Sequence, residues 1–134
     1  MEADAGRLRP PFSAATARAH VRDLLLARTP DMSPVVIDDV LLVATELITN
    51  AQRHGGGLVA FDARLTEDTI TITVTDASPA LPRTTPRNHP AAPGGFGWPL
   101  IHQISRHISV TPTTAGKTIR AVIGIGRRGR GSAG

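Results

Sequence analysis

Residues 34–54 form a long apolar run at helical spacing, and both of its ends are marked. Ser33 offers an N-cap, and Pro34 stands at the first helical position, where a missing N–H does no harm. Gly55-Gly56-Gly57 stops the run. Val40, Val43, Ala44, Leu47 and Ala51 mark one face of it, which must be buried against another layer.

Glu46 and Asn50 are four residues apart on a second face, with His54 one step further. A carboxylate and a carboxamide above a glycine run can hold a hydrated divalent cation. Such an ion is usually shared between protein oxygens and the phosphates of a nucleotide. The same spacing is also common on solvated helix faces. Arg53 and His54 read more simply as complements to the dipole at the helix C-terminus.

The flanking segments supply the rest of a two-layer domain. Ser13 caps a helix expected over 14–28, with Ala17, Val21, Leu24 and Leu25 inward, and Thr29-Pro30 ends it. Residues 58–65 read as a strand, and 69–76 alternates Thr with Ile70, Ile72 and Val74. A short turn between them makes a hairpin. A helix is expected from Trp98 to Arg106 with Pro99 in its first turn, then strands over 107–112 and 117–125. The order predicts an α/β (α+β) two-layer sandwich. Its mixed, mostly antiparallel sheet has four to five strands, with three helices on one face.

Asp76 has the parity of Ile70, Ile72 and Val74, so it continues the buried face. A carboxylate there is expensive unless paired, and a ligand donor is one possible partner. The alternative is an Asp that starts the turn beyond the strand. Residues 77–93 carry Pro79, Pro82, Pro86, Pro90 and Pro93, which excludes a continuous helix or central strand and reads as a lid or binding loop. Gly94-Gly95-Phe96-Gly97 then leads into a helix, whose free N–H groups suit phosphate.

The 134 residues fit one domain over 13–126, preceded by a flexible segment or edge strand over 1–12 and followed by a disordered basic tail over 127–134. Aromatics are only 3% of the chain, so the core must be aliphatic. Cysteine is absent, which rules out disulfides and thiolate metal sites and suits a cytoplasmic location. No apolar run is long enough to span a membrane. The charge of +4 is not laid along an ordered face with stacking aromatics, so direct nucleic-acid binding is not expected.

Taken in order, residues 13–125 resemble the histidine-kinase-like ATPase superfamily, and within it the stand-alone anti-sigma-factor serine kinases. The stretch Glu46-Leu47-Ile48-Thr49-Asn50-Ala51-Gln52-Arg53-His54-Gly55-Gly56 is similar to that family's N-box. The resemblance implies ATP and Mg²⁺ as cofactors. It makes Glu46 the catalytic group, Asn50 the Mg²⁺ ligand and Asp76 the acceptor of the adenine amino group. It gives Gly95 and Gly97 to the phosphates and Thr118, within Ala115-Gly116-Lys117-Thr118, to adenine. Phosphoryl transfer to a serine of an anti-anti-sigma protein, sequestration of a sigma factor and a homodimer are the implied activities and partners.

Two departures stand out. The first glycine box reads Asp76-Ala77-Ser78-Pro79-Ala80, without its glycines, and Gly97 is followed by Trp98-Pro99. Trp98 either covers a nucleotide or fills the core beneath its helix. Arg83 or Arg87 could neutralise charge on phosphate, or both are solvated loop charges. Loss of the first-box glycines favours the alternative function, a non-catalytic module that regulates transcription by holding a partner.

Overall fold

The computed structural model describes residues 6–54, 56–80 and 97–126. In chain order the elements are β1 (Arg7–Leu8), α1 (Ala14–Arg28), α2 (Pro34–His54), β2 (Leu58–Leu65), β3 (Thr69–Asp76), α3 (Gly97–Ile104), β4 (His107–Pro112) and β5 (Lys117–Gly124). The expected helix over 98–106 begins at Gly97 and ends at Ile104. Ser105 N–H still bonds the Ile101 carbonyl, but Arg106 N–H turns to the Val122 carbonyl of β5 at 2.8 Å. That bond closes the helix two residues early and delivers the chain into β4.

The strands form one sheet in the order β1-β2-β3-β5-β4, with every pairing antiparallel. Alternation then decides which side chains meet the helices. Phe61 and Ala63, Ile70, Ile72 and Val74, and Ile119, Ala121 and Ile123 are all buried. They face Val40, Val43, Ala44, Leu47, Ile48 and Ala51 of α2, which are buried as well. The expected two-layer α+β architecture is thus present, with α2 lying on the central strands and α1 and α3 packed against α2.

Local chemistry fixes the element ends. Ser13 Oγ accepts the Thr16 N–H at 3.0 Å, and Thr29 N–H bonds the Leu25 carbonyl at 2.9 Å, so α1 is closed at both ends. Gly56 and Gly57 adopt φ of 71° and 117°, which side chains rarely tolerate. They let Gly57 N–H return to the Ala51 carbonyl at 3.2 Å, while the Gly57 carbonyl receives the Ala77 N–H at 3.1 Å. The end of α2 is therefore fastened to the end of β3. At the other edge, Leu8 pairs with Phe61, and Phe12 meets the Phe61 ring edge-on with centroids 5.8 Å apart. No helix among the described residues is long and apolar enough to cross a membrane.

Leu47 is 1% exposed and sits at the centre of the helix–sheet contact. Leu47→Ala is expected to cost about 2–5 kcal/mol through lost burial and the cavity left behind. Urea unfolding should show a lower midpoint at an unchanged slope.

Candidate functional site

Two other segments meet α2 and the turn after it: the first residue of α3, Gly97, lies against Glu46, and the chain leaving β3 is bonded at Ala77 to the Gly57 carbonyl. Glu46 and Asn50 lie on the half-buried flank of α2, beside the fully buried Leu47 and Ile48. The Glu46 carboxylate rests against Gly97, the first residue of α3. A methyl group at that position would collide with Glu46 Oε1 and Cδ. Gly97 is therefore the residue that lets a carboxylate from α2 approach the N-terminus of α3. The Gly97 and Trp98 N–H groups, which have no intrahelical partner, belong to the same helix end, and Pro99 has no N–H to add. Gly95, Arg83 and Arg87 lie outside the described residues, as do most of the Pro-rich segment and the basic tail.

Trp98 is half-buried and packs on the core, and its ring meets His102 edge-on with centroids 4.7 Å apart. Of the two roles open to it from sequence, the structure shows the packing one.

Asp76 is buried on the helix side of the sheet, as its parity requires, and it is already paired. Lys117 Nζ lies 2.9 Å from Asp76 Oδ2 and donates to Oδ1 at 3.1 Å. It also donates to the Ser78 carbonyl at 3.0 Å. The side chains are 4% and 5% exposed. Asp76 Oδ1 accepts the Ser78 N–H at 3.0 Å, and Ser78 Oγ accepts the Ala80 N–H at 3.2 Å. These two bonds shape the chain leaving β3 without a left-handed residue. Among the described residues, positive φ occurs only at Gly56 and Gly57.

Register explains the pair. Asp76 stands opposite Lys117, and Thr75 opposite Thr118. Successive side chains on a strand point to opposite faces, so Thr118 lies on the side away from Asp76. Its hydroxyl is 2.8 Å from that of Thr75. The resemblance gave Thr118 to adenine; the β5 residue that the register sets beside Asp76 is Lys117. The sequence held the signal, because Lys117 shares the parity of Ile119, Ala121 and Ile123. Gly116 completes the corner, since a side chain there would strike the Asp76 carbonyl and the Ala77 backbone.

The donor set at the α2 end consists of oxygens, from the Glu46 carboxylate and the Asn50 carboxamide, and hard oxygen donors suit Mg²⁺. Among the described residues no group of three or more His, Cys, Asp or Glu side chains could hold a metal ion alone. A cation here would be shared with ligand phosphates, the usual arrangement for Mg²⁺.

With this geometry in view, the comparison with known families is specific. Residues 9–123 match the model of the histidine kinase-like ATPase domain. The chain belongs to that family. Comparison with curated proteins returned no match. Family membership supports an ATP-binding regulatory function for this histidine kinase-like ATPase domain. The match covers every element from α1 through β4 and nearly all of β5.

Removing one member of a buried ion pair strands the other, at a cost of about 3–5 kcal/mol. Asp76→Asn and Lys117→Met should each lose stability on that scale, whereas the double variant should recover most of it. A double-mutant cycle by chemical denaturation reads the coupling. Additive losses would show that the pair is not held as described.

Proposed function

We propose that this domain binds Mg-ATP at the end of α2 and transfers its γ-phosphoryl group to a serine of an anti-anti-sigma protein, while sequestering a sigma factor. The observation that carries the reading is the contact of Glu46 with Gly97. It joins a carboxylate on the N-box helix to the free N–H end of α3. An acid held beside an anion-binding helix end is an arrangement suited to phosphoryl transfer, where positioning and charge neutralisation do most of the work.

In this scheme the α3 N-terminal amides hold the triphosphate. Asn50 offers its carboxamide oxygen to Mg²⁺, which when bound neutralises phosphate charge. Glu46 orients the attacking serine hydroxyl and accepts its proton. The serine oxygen bonds to the γ-phosphorus as the bond to the β-phosphate oxygen breaks, and ADP leaves. Asp76 receives the purine amine in this scheme, in competition with Lys117. Gly97 serves by having no side chain, which leaves Glu46 free to face the transferring group. Action as a homodimer in the cytoplasm accompanies this proposal.

The second reading is a binding module of the same fold that holds a partner without turnover. The specific observation in its favour is that Lys117 occupies Asp76.

Calorimetry with Mg-ATP separates these. Wild type should bind, and Asn50→Ala should weaken binding by at least about tenfold, or 1.4 kcal/mol. Glu46→Ala should keep binding and lose transfer of labelled phosphate to the serine substrate. Gly97→Ala should behave like Glu46→Ala at near-normal stability, because the atoms it displaces are the mobile end of one side chain. No binding by wild type at millimolar nucleotide ends the ATP reading. Binding without transfer moves the assignment to the non-catalytic module.

A further inference from the structure

The proposed reaction leaves Lys117 without a task, yet it is among the most completely engaged side chains in the described structure. An ammonium has three N–H donors. Here they face Asp76 Oδ1 at 3.1 Å, Asp76 Oδ2 at 2.9 Å and the Ser78 carbonyl at 3.0 Å. Asp76 Oδ1 takes the Ser78 N–H besides. A carboxylate has about four lone-pair sites, and three of them are committed to the protein itself. A base amine seeking Asp76 therefore meets a neutralised, buried and largely occupied acceptor.

We propose that Lys117 is a tethered competitor for the purine, and hence the residue that sets the strength and base selectivity of nucleotide binding. This rests on the reading of the site as an adenine-nucleotide site and goes beyond it. In the free protein the ammonium holds Asp76. In the bound form the ring amine takes an Asp76 oxygen, and the ammonium yields at least one bond there while keeping the Ser78 carbonyl. Gain at the base is offset by loss at the ion pair. Apparent affinity falls with the fraction of molecules in which Asp76 is open. Most binding then comes from the phosphate end, and the ring contributes little discrimination.

The test compares Mg-ATP with the Mg-triphosphate of purine riboside, which lacks the 6-amino group. Both are titrated calorimetrically into wild type, Lys117→Gln and Lys117→Met. Wild type should bind the two ligands within about threefold of each other, because the amine gains little against the ion pair. Lys117→Gln removes the charge and keeps an amide donor for Ser78. It should bind ATP about tenfold or more tighter than wild type, with purine riboside triphosphate unchanged.

A strong wild-type preference for ATP overturns the inference, and so does ATP binding to folded Lys117→Gln that is equal to or weaker than wild type. In either case the nucleotide reading itself survives. The wild-type comparison needs no variant, so it decides even if both substitutions unfold the domain. Absence of binding by all three proteins to both ligands overturns the nucleotide reading and the competitor with it.

Discussion

A carboxylate at the inner end of a central strand constrains everything around it. Asp76 ends β3 on the face that α2 covers, so burying it without a cation would cost more than the strand end contributes. Lys117 supplies the cation from the first residue of β5, directly across the antiparallel ladder. The pair fixes the register of the two central strands at that end. A slip of one residue would bring Thr75 or Thr118 to the inner face and leave a charge unpaired. The same pair grips Ser78 by both its N–H and its carbonyl. Sheet register, strand end and departing chain therefore share one electrostatic anchor.

The α2 end of the site depends on a different constraint, that of space. Glu46 can lie against α3 only because Gly97 has no side chain, and the Asp76 corner can close only because Gly116 has none. The Gly57 carbonyl ties the α2 terminus to Ala77. The two ends of the candidate site are thus joined through backbone, one residue from Asp76. A ligand that engaged Asp76 would act on the junction that also positions the end of the N-box helix.

Most of the fold was legible in the residues because each element carries its own period and its own stop. Ser13, Pro34, the glycines after His54 and the Thr alternation over 69–76 set boundaries that the structure reproduces. The early end of α3 was not legible, because the bond that stops it runs from Arg106 to Val122, a residue distant in sequence. In the site, the burial of Asp76 followed from parity alone. Lys117 escaped because a lysine at a strand start reads as a solvated end, although its parity matched the buried face. Thr118 drew attention as part of a motif. Motif spacing places a residue on a strand but does not say which face it takes.

The glycine-free turn and the buried lysine at this corner are physically one. Without glycines after Asp76, the chain must turn with negative φ throughout. Such a turn needs hydrogen bonds to replace the conformational freedom that glycine would have given. Ser78 N–H to Asp76 and Ala80 N–H to Ser78 supply two of them, and Lys117 to the Ser78 carbonyl supplies a third. Lys117 can make that bond only from a buried position, and it can be buried only while Asp76 neutralises it. A glycine-free turn, a buried lysine and an engaged aspartate therefore stand together. Restoring glycine at residue 78 would remove the hydroxyl that caps the turn but would leave the ion pair in place. Removing the lysine loosens both the turn and the carboxylate. The lysine, not the missing glycines, is accordingly where the openness of this end of the site is decided.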